Sequence, residues 1–431
     1  MLFMGANMIA NQWLQIPEAE MTLVALSPAI FFVAIASVMR GYFNGRQNIK
    51  ATARSQTIEQ VFKTALTIIL VEIVAIISNV STEWMAGGAT LATTLATMSG
   101  FGYLYLYYKT RRKEIATEIK STVNYKYERV RTIIKKILLG SIPIALTAIM
   151  SSFNKNIDSF TVVRSLKQFI PEDMAIAQYG ILGGKVDTLT SLPLSINVAF
   201  STALVPAISA AKARKDKKTI TEKTSFSLLT SMLIGLPCTI GMCIFAGPIL
   251  NLLFPNASDG TMILKISSLT ILFTILDQTI NGALQGYGKL KIPTISLGVG
   301  VIVKLILNLI LVPIPDIGIN GAAWASVACH AVAFTIAITA LIKNIKLNLT
   351  FSKFVIKPAI ATAIMGICSY FIYSNLLGII SSKLATIVAI VLAVVIYVLA
   401  VIVLKIFNKE EILKMPMGEK IYKVLEKLKI Y

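Results

Sequence analysis

Stretches of eighteen or more predominantly apolar residues recur along the whole of this chain. Each is long enough to cross a hydrocarbon core of about 30 Å at about 1.5 Å of helix rise per residue. Backbone groups inside lipid find no water, so each stretch must satisfy its own hydrogen bonds and is therefore helical. The fold class is all-α: a polytopic bundle of transmembrane helices. With 55% apolar and 14% charged residues among 431, the composition does not describe a set of soluble domains. Pro, Gly and charge breaks divide the apolar windows into eleven complete spans, at 22–39, 55–79, 85–108, 137–160, 176–208, 226–253, 261–285, 292–313, 318–342, 356–379 and 384–406.

A net charge of +20 would suggest a nucleic-acid partner in a soluble protein. Here the bases lie in the connections between spans, which reads as anchoring at an anionic membrane surface, with no nucleic acid involved. Arg40, Arg46, Lys50 and Arg54 follow the first span, residues 109–136 carry ten Lys or Arg, and the tail from Lys405 carries seven lysines. The turns at 81–83, 255–260 and 314–320 carry none. The positive-inside rule then puts the C-terminus in the cytoplasm and residues 11–21 outside. Cys238, Cys243, Cys329 and Cys368 all fall inside apolar segments and read as packing residues. The first residues lack the basic region of a cleavable signal.

The chain also repeats itself. At an offset of 241, Gly41, Gly45, Lys50, Ser55 and Lys63 fall on Gly282, Gly286, Lys291, Ser296 and Lys304, and the match resumes at an offset of 233 with Gly88 on Gly321. The unit is at least three helices long, and its copies lie six helices apart in one orientation, which predicts two parallel-repeat lobes. That symmetry expects three more helices before the first copy, roughly a hundred residues beyond those present. The resulting organisation is a truncated N-lobe at 1–108, a basic interlobe connection at 109–136, a C-lobe at 137–342, two additional helices at 343–406 and a basic tail at 407–431.

SPAIFFVAIASVMRGYFNGRQN, SQTIEQVF, IDSFTVVRSL, QYGILGG, STALVPAISAA, LQGYGK, VGVIVKLILNLILVPI and GINGAAWASV, in that order, resemble the stage V sporulation protein B and polysaccharide-exporter family. That family lies within the multidrug/oligosaccharidyl-lipid/polysaccharide flippase superfamily. The resemblance covers essentially the whole chain. It implies two six-helix lobes around a cavity, two extra C-terminal helices, and movement of an undecaprenyl-linked saccharide or peptidoglycan precursor, in sporulation or cell-wall synthesis. Members normally begin with two helices and most of a third that this chain lacks.

No catalytic residue, nucleotide motif, cofactor site or metal cluster is read, and the resemblance implies a transporter, not an enzyme. Charges within spans are the informative residues, because one facing lipid costs at least about 2.5 kcal/mol. Lys63 and Lys304 are repeat-equivalent and near mid-helix. They are expected to line the cavity and contact an anionic lipid-linked glycan, the alternative being that Lys63 pairs locally with Glu59. Lys304 has only Gly300 at the equivalent position. Asp158, Lys155 and Arg164 form either an ion-coupling or gating cluster, to which Glu59 is a further candidate, or a salt bridge beside a loop. Lys185, with Asp187 nearby, either faces the cavity or sits at an exposed helix mouth. Asp277 is a candidate cavity acid whose simpler reading is a pair with Lys304. His330 is expected to be a packed, hydrogen-bonded histidine. Arg40, Gly41, Gly45 and Arg46, with Gly282 and Gly286 in the second copy, are expected to make the tight cytoplasmic turns. Tyr125, Tyr127 and Val130 suggest an amphipathic interfacial helix. The leading reading is alternating-access flipping of a lipid-linked anionic glycan. The rivals are a cation-coupled multidrug antiporter of the same superfamily and a transport-inactive partner of cell-envelope synthesis enzymes.

Overall fold

In the computed structural model the chain folds into helices joined by short turns. The structure describes residues 2–14, 16–46, 48–76, 82–121, 128–347, 350–413, 418–419 and 422. Two compact units separate at Val130: Met1–Val130 and Arg131–Tyr431. The first contains α1 (Leu2–Met8), α2 (Ala19–Gly45), α3 (Ile49–Ile76) and α4 (Thr82–Ser121). The second begins with α5 (Val130–Leu166), α6 (Glu172–Gly180), α7 (Asp187–Ala213), α8 (Lys217–Ile244) and α9 (Ala246–Leu253). It continues with α10 (Thr261–Gly286), α11 (Lys291–Leu311), α12 (Asn320–Asn344), α13 (Lys357–Leu376), α14 (Ser382–Val403) and the short α15 (Lys409–Leu413). A π-helical turn at Ile181–Val186 joins α6 to α7 without a break.

Among the described residues nine helical stretches are long and apolar enough to cross a membrane. The other two anticipated spans, α3 and α4, are helices of 28 and 40 residues. Charges lower their apolarity: α3 carries Arg54, Glu59, Lys63 and Glu72, and α4 ends in a charged segment. That segment corrects the expected boundary at residue 108, because α4 continues without interruption to Ser121. Tyr125, Tyr127, Ser81 and most of the basic tail lie outside the described residues.

The repeat appears as one packing pattern in each unit. In the first, α4 lies along both α2 and α3, which barely meet each other; in the second, α12 lies along both α10 and α11 in the same way. Small residues permit this approach, including Ala29 and Ala36 of α2, Ala92 and Ala96 of α4, and Ala322, Ala325 and Ala333 of α12, all fully or nearly fully buried. Where α2 and α3 come together the contact is polar. Arg40 Nη2 donates to Glu59 Oε2 at 2.5 Å and to Ser55 Oγ at 3.1 Å, and Ser55 donates to the Gly100 carbonyl at 3.3 Å. Glu59 therefore answers Arg40 of the preceding helix, not Lys63 one turn along.

The second unit is organised around α10, which packs against α7, α8 and α12 and is the most deeply buried of its spans. Its apolar face meets Leu204, Ile208, Leu228 and Met232. Within this contact Asn197 Nδ2 donates to the Ile275 carbonyl at 2.9 Å, Ser231 donates to Asn197 Oδ1 at 2.8 Å, and Ser231 and Thr279 share a 2.6 Å hydrogen bond. Fully satisfied polar knots of this kind hold helices together where water is absent. Asp216 caps α8 by accepting from the Thr219 hydroxyl and N–H, which holds its carboxyl below the ordinary range.

The glycines assigned to tight turns sit elsewhere. Gly41 and Gly45 lie in the last turns of α2, and Gly282 and Gly286 in those of α10. The turn after α10 is made at Gly288, whose φ is +83°. A Cβ on Gly282 would meet the Ser201 carbonyl oxygen at 2.5 Å, and one on Gly286 the Val205 carbonyl oxygen at 2.7 Å, so these two seat α10 on the backbone of α7. Nothing lies within 4 Å of a Cβ on Gly41 or Gly45. Gly286→Ala should therefore lower stability by about 1–3 kcal/mol, whereas Gly41→Ala should stay within about 0.5 kcal/mol of the parent. Thermal unfolding of the purified variants in detergent distinguishes them, and equal shifts would count against this seating.

Candidate functional site

Asn154, Asp158 and Thr161 recur at spacings of four and three residues and so share one face of α5. Lys304 and Asn308, four apart, do the same on α11. The facing stripes meet in the interior of the second unit, where Asp158 is 6%, Lys304 3% and Asn308 0% exposed. Lys304 Nζ donates to Asp158 Oδ2 at 2.6 Å and to the Asn154 carbonyl at 2.9 Å. Asn308 Nδ2 donates to the other carboxylate oxygen, Asp158 Oδ1, at 2.8 Å and to Thr161 Oγ1 at 2.9 Å. The carboxylate is thus bonded at both oxygens, and the ammonium at two acceptors.

Burying two charges costs several kcal/mol per ion, repaid only when geometry is good and the remaining donors and acceptors are met. Both carboxylate oxygens and two of the ammonium donors are met here, so the pair reads as a closed, neutral contact, although Asn308 Oδ1 has no partner among the described residues. α12 completes the surroundings. Asn154 Nδ2 lies 3.3 Å from His330 Nε2, and the Cys329 thiol donates to Asn154 Oδ1 at 3.4 Å. His330 is thereby a packed, hydrogen-bonded histidine, as expected. Gly300, one turn before Lys304, makes this approach feasible, since a Cβ there would meet the Cys329 carbonyl oxygen at 2.6 Å. Toward the start of α5, Thr147 and Thr294 share a 2.6 Å hydrogen bond and Thr294 also donates to the Pro143 carbonyl at 3.1 Å. Polar contacts therefore join α5 to α11 from Thr147 to Thr161, about 21 Å along the helix.

Several expectations change. Lys304 has a partner, but it comes from α5, and Asp277 is not that partner. Asp277 accepts from Asn281 Nδ2 at 2.8 Å, one turn along α10, and its Oδ1 has no hydrogen-bond partner among the described residues. Lys155 and Arg164 are exposed and do not join Asp158 in a cluster. α5 runs on to Leu166, so all three are helical, with Arg164 in the last turn before the connection at 167–171. Lys63, the repeat counterpart of Lys304, is exposed and makes no ion pair among the described residues. Lys185 donates to the Ala257 carbonyl and lies 5.4 Å from the Phe254 ring centre, so it ties the start of α7 to the turn before α10. Arg46 pairs with Glu118 and donates to the Tyr42 hydroxyl at 3.0 Å.

A second feature of this unit is an apolar groove of about 520 Å³ between α8 and α13, lined by Leu236, Ile240, Ile244, Gly366, Tyr370 and Phe371 among others. A Cβ on Gly366 would meet Ile244 Cδ1 at 2.9 Å and narrow the groove.

Asn308 and Thr161 escaped sequence reasoning, although polar residues at helical spacing within apolar spans were the available signal. Replacing Asn308 with Leu leaves Asp158 Oδ1 without its donor and should cost about 1–3 kcal/mol. Asn308→Asp should cost more, because it sets a second carboxylate against the first. Thermal unfolding of both variants measures the order, and equal stability of the parent and Asn308→Asp would refute this reading of the site.

Residues 185–409, just over half of the chain, match the family model described as "Lipid II flippase MurJ". Residues 1–212 match the model described as "Polysaccharide biosynthesis protein". The chain is 25% identical over 405 residues to stage V sporulation protein B of Bacillus subtilis (strain 168), covering 92% of this chain and 75% of that protein. It is 26% identical over 334 residues to lipid II flippase MurJ of the same organism, covering 72% and 59% respectively. A solved structure of lipid II flippase MurJ in an inward closed conformation shares the fold, with a TM-score of 0.61 at 16% identity over 90% of this chain and 74% of that one. The chain belongs to the lipid II flippase MurJ family, a family of multi-pass membrane flippases.

Proposed function

We propose that the chain moves an undecaprenyl-linked, anionic glycan or peptidoglycan precursor from the inner to the outer leaflet of the bacterial cytoplasmic membrane. Its cargo site would open alternately to the two membrane faces. The basic connections and the C-terminus face the cytoplasm in this reading, in keeping with 41 Lys and Arg against 21 Asp and Glu. Family membership supports the flippase chemistry. The groove between α8 and α13 suits a prenyl chain, since its walls are nearly all apolar and it is open at the side.

The observation that bears on the choice between this cargo and a cationic drug is the closure of Asp158, which leaves Asp277 as the buried acid with an unpartnered oxygen among the described residues. A cation antiporter needs a carboxylate that its cargo or coupling ion can reach, and Asp158 is already neutralised by Lys304 and bonded at both oxygens. In the proposed role the Asp158–Lys304 pair acts as a structural latch between α5 and α11, not as a contact for cargo.

Reconstitution of the chain into vesicles tests the proposal. Labelled undecaprenyl-diphosphate sugar should cross the bilayer in the presence of the protein, and a cationic dye should not. Dye movement without sugar movement would favour the antiporter. Movement of neither would favour a partner that organises cell-envelope synthesis enzymes.

A further inference from the structure

The first unit holds a polar cavity of about 280 Å³, lined by Asn48, Lys50, Ala51, Arg54, Tyr103, Tyr107 and Arg111. It lies where α2 ends and α3 begins, closed on its third side by α4. We propose that this cavity binds the phosphate group of an anionic ligand at the membrane surface.

Three observations converge. First, three cations line one cavity and no carboxylate does. Lys50 and Arg54 make no ion pair among the described residues, and Arg111 pairs with Glu114 one turn along α4, Nη1 to Oε2 at 3.9 Å. At the same end Arg40 pairs with Glu59 and Arg46 with Glu118, while Lys109, Arg112 and Lys113 make no ion pair among the described residues. Lys50 and Arg54 therefore bring uncompensated positive charge to the cavity wall.

Second, the remaining walls supply donors and fix the cations. The first turn of α3, a helix of 28 residues, lines the cavity, and its free N–H groups and dipole favour an anion. Asn48 Nδ2 donates to the Tyr107 hydroxyl at 3.0 Å, which leaves that hydroxyl its own proton to give. The Arg111 guanidinium lies 5.0 Å from the Tyr107 ring centre, which holds it at the rim. At about 30 Å³ per water, the space equals about nine waters, enough for a phosphate group and part of what it is attached to.

Third, the repeat provides an internal control. At offset 241, Asn48, Lys50 and Arg54 fall on Lys289, Lys291 and Ile295; at offset 233, Tyr103, Tyr107 and Arg111 fall on Ile336, Ala340 and Asn344. The second unit makes the same helix packing without the arginines or the tyrosines. Packing of the repeat does not require them, and a ligand particular to the first unit accounts for their presence. The cavity opens where the apolar span of α2 ends, the depth of lipid headgroups, so a phospholipid is the nearest source of phosphate. The proposal does not depend on the cargo assigned above.

The test uses the whole chain in neutral detergent. Binding of phosphatidylglycerol, phosphatidylcholine and inorganic diphosphate is titrated for the parent, for K50Q/R54Q/R111Q, for R54Q alone, and for K217Q/K218Q/K223Q. The last removes equal charge from exposed lysines at the start of α8. Saturable binding of phosphatidylglycerol or diphosphate is expected. It should weaken about tenfold or more in the triple cavity variant, measurably in R54Q, and less than about twofold in the control. Binding of phosphatidylglycerol alone identifies a lipid headgroup, and binding of diphosphate as well identifies recognition of the phosphate itself. The proposal is overturned if neither probe binds, if phosphatidylcholine binds equally well, or if the cavity and control variants weaken alike.

Discussion

The second unit depends on one contact between opposite charges in a place where neither charge can remain alone. Asp158 and Lys304 are almost fully enclosed, with both carboxylate oxygens bonded and the ammonium donating to Asp158 and to the Asn154 carbonyl. Without the pair, α5 would bring a carboxylate, and α11 an ammonium, into a medium that cannot solvate either. With it, the two helices are held in one register, and the flanking hydrogen bonds at Thr147, Thr161 and Thr294 follow that register. Apolar contact alone would not choose among alternative alignments, because lipid tails compete equally well for Leu and Ile.

The same reasoning separates the two copies of the repeat. Both pack a small-residue helix against two others, so van der Waals contact is common to them. Their polar chemistry differs. In the first unit Arg40 and Glu59 join α2 to α3, at positions where the second copy has Asn281 and Gly300. In the second unit Gly300 makes room for the Cys329 backbone and Lys304 reaches across to α5. The two copies thus carry different sets of internal charges, and the arginines and tyrosines of the cavity beside Lys50 have no counterparts at the matching positions of the second copy.

Hydropathy made most of the fold legible, because spanning helices announce themselves by length and apolarity, and the matched glycines and lysines exposed the repeat. Lys304 was legible as a buried charge for the same reason. Its partner was not: Asp158 lies 146 residues away, on a helix whose neighbours no local pattern specifies. Proximity in sequence instead grouped Asp158 with Lys155 and Arg164, which are exposed and make no ion pair with it among the described residues. The glycines show the same limit. Gly45 and Gly286 are equivalent in the repeat, yet only Gly286 has a backbone pressed against it, because α7 lies there. Identity of residue and register could not reveal which of the two was needed for packing.

The account rests on Asp158 and Lys304 being coupled, and a double-mutant cycle measures that coupling directly. Asp158→Leu, Lys304→Met and the double variant would be unfolded side by side in one detergent. Each single change should be strongly destabilising, about 3–5 kcal/mol, because it strands a buried charge, while the double change should cost much less than their sum. A coupling of about 2 kcal/mol or more is the predicted result. Additive effects, with the double variant as unstable as the two single losses combined, would contradict the closed ion pair and the role assigned to it.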